Sequence, residues 1–177
     1  PATLVGMASR RPVEVVSVDE FSLGSRSFTI RVAPLVERAN IGGADGNLGL
    51  DSPQRQRVLL DFENNTMLVA DADTLGGNGG YEITVRARRK LGQLIISEAK
   101  IDGVRTAIVI DTGASASVGN PELLRKLRRQ RDGGTALMTD INGVDLESDV
   151  RLAREVRIGR LQISNVAIAF ADAPPFH

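Results

Sequence analysis

A mostly β protein with short helices is what the sequence predicts, on three observations. Hydrophobic residues make up 42% of the 177 positions but aromatics only 3%, so Val, Ile, Leu and Ala must build the core. That composition mildly favours strands. Short apolar runs recur between Gly, Asn and Asp turn signals, and the two stretches that open with a helix cap and proline are brief.

Taken in order, Glu20-Phe21-Ser22-Leu23-Gly24 with Phe28 four residues on reads as strand, Gly turn and strand. Ser52-Pro53 reads as an N-cap and first helical proline. Arg57 to Phe62 and Thr66 to Val69 form a hairpin across Glu63-Asn64-Asn65. Residues 71–81, rich in Gly, have the composition of a flexible linker. Beyond it, Gln93 to Ile101 and Arg105 to Ile110 form a hairpin turning at Asp102-Gly103. Asn120-Pro121-Glu122 repeats the cap-plus-proline signal and opens a helix with Leu123, Leu124 and Leu127 on one face. Residues 135–150 form another hairpin around Asn142-Gly143. Last, Glu155-Val156-Arg157-Ile158-Gly159 with Ile163 repeats the first pattern at an offset of 135 positions, Gly24 to Gly159.

Composition also limits the chemistry. Lys plus Arg balance Asp plus Glu at 22 each, so no global field attracts nucleic acid or an anionic membrane. The longest apolar runs, such as Ala107 to Ile110 and Val166 to Ala171, are too short to span a bilayer, and a soluble chain is expected. There is no Cys, and the only His is the terminal His177. An imidazole-dependent nucleophile and a His/Cys zinc site are thereby excluded. Hydrolysis, if it occurs, falls to carboxylates, with no metal and no cofactor. Because the chain opens on Pro1 with no visible leader, a removed leader or a piece of a longer protein is expected.

Asp111 is the carboxylate that stands out. The apolar strand Ala107-Ile108-Val109-Ile110 runs straight into Asp111-Thr112-Gly113, where Gly113 frees the backbone for a tight turn. Ser117-Val118 then leads to the capped helix. A carboxylate leaving a buried strand onto such a loop is expected to be short of water, which disfavours its charged form. The simpler alternative is that Asp111 only caps a turn after an edge strand.

The run Ile110-Asp111-Thr112-Gly113-Ala114-Ser115, with Ser117-Val118 and a helix after it, resembles the retropepsin-like aspartic proteases of bacteria. The hairpin before it, the helix after it and the Asn142-Gly143 hairpin in the flap position follow the same order. Leu48-Gly49-Leu50-Asp51, running into Ser52-Pro53, resembles the apolar-apolar-Gly motif of the family's second half, with Asn47 where an aliphatic residue is usual. That motif precedes the catalytic loop here, whereas a retropepsin protomer has it after. The 135-residue offset accounts for the order if the chain is a window on a tandem repeat. Residues 1–70 would then be the C-terminal part of a first copy, and 82–177 the N-terminal part of a second.

This resemblance implies an all-β, retropepsin-like acid-protease β-barrel with short helices, in two partial copies. It implies an aspartic endopeptidase in which two carboxylates share one proton and activate a water against a peptide carbonyl. Asp111 would be one of the pair, Thr112 would brace the loops, and Gly113 would let the substrate backbone approach. Ala114 and Ser115 would line the substrate, with Ser115 also a partner of the carboxylate. Ile141, Asn142, Gly143 and Val144 would close over the peptide as a flap. The second Asp would come from an identical chain, as a homodimer, or from the missing part of the first copy, about 24 positions before residue 1 by the same offset. Bacterial relatives are often exported, so a periplasmic or secreted location is expected.

Two other readings compete. A non-catalytic peptide-binding or assembly module would keep the fold without a competent pair. A nucleic-acid-binding module would use the basic runs Arg86 to Lys90 and Arg125 to Arg131, which read more simply as a solvated linker edge and the outer face of a helix. Asn64-Asn65-Thr66 fits a glycosylation acceptor and Asp71-Ala72-Asp73 opens like a calcium loop, but Leu75 and the lack of a closing Glu end that match. Both are read as structural.

Overall fold

Alternating apolar residues and tight turns produce antiparallel hairpins along the chain. The computed structural model describes residues 1–24, 26–48, 56–61, 63–71, 88–90, 93–127 and 131–176. In chain order β1 (Ala2–Val5) pairs with β2 (Arg10–Val13), and β3 (Val15–Leu23) with β4 (Arg26–Pro34). A 3-10 turn at Arg38–Ile41 follows, then β5 (Gln56–Asp61) paired with β6 (Thr66–Asp71). The expected hairpin across Glu63-Asn64-Asn65 is therefore present. Its turn is held by Asp61, which accepts hydrogen bonds from the Glu63 and Asn64 amides and the Asn64 side chain. The Leu48-Gly49 motif beyond Leu48, the Ser52-Pro53 cap and most of the 71–81 linker lie outside the described residues.

The second half is one mixed sheet. It contains β7 (Arg88–Lys90), β8 (Gln93–Ile101), β9 (Val104–Val109), β10 (Ser117–Gly119), β11 (Arg131–Thr139), β12 (Asp145–Ile158) and β13 (Leu161–Phe170). Its spine runs β10-β13-β12-β8-β7, with β11 on β12 and β9 on β8. The basic residues Arg88 to Lys90, expected at a linker edge, are instead strand β7 paired antiparallel to β8. The helix α1 covers only Pro121–Lys126, so the run from Arg125 to Arg131 spans its end and the start of β11 rather than one helical face.

Long β12 organises this half because three strands register on it. Its first part pairs with β11, its last part with β13, and Val156 and Arg157 pair with Ile101 and Lys100 of β8. The β8–β9 turn puts Asp102 and Gly103 at φ 47° and 82°, left-handed values that suit Asp-Gly. Asp102 Oδ1 accepts from the Glu155 amide at 2.9 Å, and the Asp102 amide donates to the Glu155 carbonyl at 2.9 Å. The turn is thus fastened to β12, and β9 is aimed by it.

The core gathers where these strands meet α1. Ala99, Ile101, Leu123, Leu127, Ala153, Val156, Ile158, Ile168 and Phe170 form one buried cluster, with Val104, Ile108, Leu124 and Val166 packed against it. The three leucines foreseen for the helix all reach it. Among the described residues every buried apolar side chain lies at Ala99 or beyond. The hairpins of the first half instead expose Val32, Leu35, Met67 and Leu68. Two-stranded hairpins are marginal alone, so those faces are short of packing partners.

The 135-residue offset reappears in the backbone. Val15↔Pro34 and Phe21↔Phe28 of β3–β4 correspond to Val150↔Ala169 and Val156↔Ile163 of β12–β13. Gly24 and Gly159 close the two turns with the same φ of 59°. Each hairpin is preceded by another, β1–β2 or β11–β12, and followed by a 3-10 turn, Arg38–Ile41 or Pro174–Phe176. The β1–β2 hairpin carried no signal in the sequence analysis.

Candidate active site

Strand β9 delivers Asp111. Its side chains alternate, with Val104, Thr106 and Ile108 turned inward, while Val109 and Ile110 are 44% and 48% exposed. Asp111 is exposed too, which corrects the expectation of a carboxylate short of water. The reason is topological: β9 pairs with β8 alone, and nothing among the described residues covers the far side of its end.

The loop itself is ordered by its own hydrogen bonds. Asp111 Oδ1 accepts from the Gly113 amide at 2.8 Å, and the Ala114 amide donates to the Asp111 carbonyl at 3.3 Å. This is an Asx-type turn, which Asp forms readily. A Cβ on residue 113 would sit 3.2 Å from Asp111 Oδ1, so glycine leaves room for that carboxylate. Thr112, Ala114 and Ser115 are exposed on the same loop. Ser115 makes no hydrogen bond to Asp111; the Gly113 amide is the carboxylate's partner among the described residues.

Downstream the loop is anchored firmly. β10 lies parallel to β13, with Ser117, Val118 and Gly119 opposite Ile168, Ala169 and Phe170. The Ala171 amide closes the corner on the Gly119 carbonyl at 3.0 Å. A Cβ on Gly119 would meet the Phe170 ring at 2.7 Å, so the absence of a side chain there lets the ring fill the core. Asn120 then caps α1, its Oδ1 accepting from the Leu123 amide at 2.8 Å. Replacing it, Asn120→Ala should cost about 1 kcal/mol in a denaturant titration, the usual worth of such a cap.

The Ile141–Val144 turn is placed elsewhere. Asp140 and Asn142 are buried, Ile141 is half-buried, and Gly143 and Val144 are exposed. Asp140 Oδ1 accepts from the amides of Asn142 and Val144 at 2.9 and 3.0 Å. Its Oδ2 reaches the first half, accepting from the Ala8 amide at 3.1 Å and the Ser9 hydroxyl at 2.7 Å. Asn142 Nδ2 donates to Ser9 Oγ at 2.9 Å, and Asn40 Nδ2 donates to the Ile141 carbonyl at 3.2 Å. Gly6 is packed so tightly that a Cβ there would overlap the Asp140 carboxylate. The two hairpin tips, 6–9 and 140–144, are therefore latched together. No hydrogen bond joins the Asp111 loop to the Ile141–Val144 turn among the described residues.

Burial pushes the Asp140 carboxyl up, but the hydrogen bonds from Ser9 and from the Val144, Ala8 and Asn142 amides outweigh it, and the net shift is down. Asp140 carried no signal in the sequence, because its role depends on residues more than 130 positions away. Among the described residues no group of three or more His, Cys, Asp or Glu could hold a metal ion. No helix among them is long and apolar enough to cross a membrane.

Neither the curated proteins nor the solved structures include a match to the chain. A family model described as aspartyl protease matches residues 97–177. That segment holds the Asp111 loop, the capped helix and the β11–β12 hairpin, and the match supports its assignment to an aspartic protease family.

Proposed function

We propose that the chain is part of an aspartic endopeptidase of the retropepsin-like type, hydrolysing peptide bonds of polypeptides through a water activated by two carboxylates. Asp111 is one of them. The observation that carries this reading is its exposed carboxylate, on a loop gripped between β9 and β10 inside the segment matched by the aspartyl protease model. In the shared-proton pair the ionised member takes a proton from water, and the other hydrogen-bonds the peptide carbonyl oxygen. Hydroxide adds to the carbonyl carbon, and collapse of that adduct breaks the C–N bond as the amine takes up a proton. Exposure of Val109, Ile110 and Asp111 leaves the loop open to a partner bearing the second carboxylate.

The tandem arrangement belongs to the same proposal. It is supported by strand registers that recur at 135 positions and by paired turns with equal φ. The latch between tips 6–9 and 140–144 favours pairing of two copies within one chain over a homodimer. Export to the periplasm or beyond rests on the resemblance alone and is checked by cell fractionation.

The test is digestion of a denatured protein at acidic pH, with and without pepstatin, over a range of enzyme concentrations. Pepstatin-sensitive cleavage is expected. A specific rate of residues 1–177 that rises with enzyme concentration supports a homodimer, whereas cleavage seen only when the chain is extended to carry a second Asp loop 135 positions before Asp111, at a specific rate independent of concentration, supports pairing of two copies within one chain. Peptide binding with no cleavage under any of these conditions would replace this reading with a non-catalytic peptide-binding module.

A further inference from the structure

Tips 6–9 and 140–144 hold equivalent places in their hairpins but carry complementary groups. Strands β1 and β2 end at the pair Val5↔Arg10, and β11 and β12 at Thr139↔Asp145, so the second turn is one residue longer. Each turn is closed by a bond of the same kind. The Gly6 amide donates to the Ser9 carbonyl at 2.8 Å, and the Asp140 amide to the Val144 carbonyl at 2.9 Å. Gly6 therefore matches Asp140 as the first residue of its turn, and Ser9 matches Val144 as the last.

The two first residues face each other. Gly6 is buried, and a Cβ on it would overlap Asp140 Oδ2, so the carboxylate fills the space that a side chain at position 6 would need. Matching residues meet in this way where a two-fold axis passes between like elements.

Across that axis the chemistry is one-sided. Tip 6–9, Gly-Met-Ala-Ser, has a hydroxyl but neither carboxylate nor carboxamide; tip 140–144, Asp-Ile-Asn-Gly-Val, has both of those and no hydroxyl. Ser9 Oγ donates to Asp140 Oδ2 at 2.7 Å and accepts from Asn142 Nδ2 at 2.9 Å. The Ala8 amide donates to Asp140 Oδ2 at 3.1 Å. Asn40, on the 3-10 turn Arg38–Ile41, adds its bond to the Ile141 carbonyl, whereas the corresponding turn Pro174–Phe176 has no side-chain donor.

Like tips cannot repeat this contact. Two 140–144 tips would set Asp140 against Asp140 in one space, with Val144 where the hydroxyl is needed. Two 6–9 tips would leave the Ser9 hydroxyl and the Ala8 amide without the acceptor they share. Repulsion between like charges opposes the first pairing, and stranded donors oppose the second.

We infer that the tips form a pairing code: a 6–9 tip accepts a 140–144 tip and neither accepts its own kind, so the partner of the half bearing Asp111 is a copy of the first type. This rests on the tandem reading above and adds which copies can pair. Because a two-fold axis relates whole copies, the same code selects the copy that brings the second carboxylate and rejects a homodimer joined through two 140–144 tips.

The chain has no cysteine, so introduced cysteines take spin labels at chosen places alone. Thr3 and Leu137 are exposed, make no part of the latch, and lie on the strands leading into the two tips. Electron paramagnetic resonance of the full chain labelled at both, as T3C/L137C, should give one narrow interspin distance. Chains labelled at Thr3 alone or at Leu137 alone should give none. G6D sets carboxylate against carboxylate and should lower the closed population at least about tenfold. Adding D140G and V144S to G6D moves the carboxylate to the first tip and a hydroxyl to the second. That triple variant should recover the narrow distance, which a merely unfolded tip would not. Circular dichroism checks that each variant folds. An interspin distance in chains labelled only at Leu137, a narrow distance that survives G6D, or a folded triple variant that stays open would overturn the inference. A code that passes these tests in a chain without proteolysis removes the proteolytic reading alone. Cleavage together with an interspin distance at Leu137 alone removes the code and leaves that reading standing.

Discussion

Asp111→Asn should abolish the proposed hydrolysis, with an expected loss of at least about a hundredfold in kcat, the lower end of what a positioned acid or base contributes. The amide is nearly the same size and still offers an acceptor to the Gly113 amide, so the loop keeps its turn. It cannot take a proton from water, nor share one with a second carboxylate. Because Asp111 is exposed, the melting temperature should not change, which separates a chemical defect from unfolding. The rate is read on a denatured protein substrate by mass spectrometry at acidic pH. Cleavage at the wild-type rate by Asp111→Asn would remove this residue from the mechanism. A fall in rate that tracks a fall in melting temperature would assign it a structural role instead.

The second large effect is expected at Asp140→Ala, which should weaken the latch by about 3 kcal/mol, because truncation strands four donors at once, one buried and three part-buried. Those donors are the amides of Ala8, Asn142 and Val144 and the hydroxyl of Ser9. The direct readout is hydrogen exchange at the Ala8, Asn142 and Val144 amides, which should quicken about a hundredfold by the usual conversion of free energy to equilibrium constant. Gly6→Ala should mimic it, since a methyl group there displaces the same carboxylate, and the double variant should be little worse than either alone.

Acid should loosen the same contact, and the sign follows from the lowered Asp140 value. A carboxyl depressed in the folded state contributes its full stabilisation above its ordinary value of 3.8. That contribution is lost as pH falls below 3.8 and through the folded value. Protection of the Ala8 and Val144 amides should therefore decline on acidification in the wild type and stay flat in Asp140→Ala. Uniform protection down to pH 2 would contradict this.

Much of the second half was legible from local signals. Asp102-Gly103 reads as a hairpin turn because only a few residues tolerate its left-handed backbone, and both occupy it here. Asn120-Pro121 reads as a helix start because the side-chain cap and the missing amide suit the first turn, and Asn120 does cap α1. The leucines of that helix share a face by simple periodicity and meet in the core. Strand β7 at Arg88–Lys90 was not read from the sequence because charge suggests a solvated edge, while strand pairing uses only the backbone.

Asp111 shows where local reading stops. Residue order determined by itself that a carboxylate follows an apolar strand and precedes a glycine turn, and this is enough for the aspartyl protease resemblance. Whether that carboxylate is dry or wet depends on what lies across it, and the structure leaves β9 at a sheet edge with Asp111 exposed. The latch is more distant still: Asp140 meets Ala8 and Ser9 only after β11 and β12 have folded and brought the two tips together. Turn types, caps and strand alternation are decided by neighbours along the chain, so sequence alone settles them. Solvation of a side chain and contacts between distant turns are decided by neighbours in space, and only the tertiary structure supplies those.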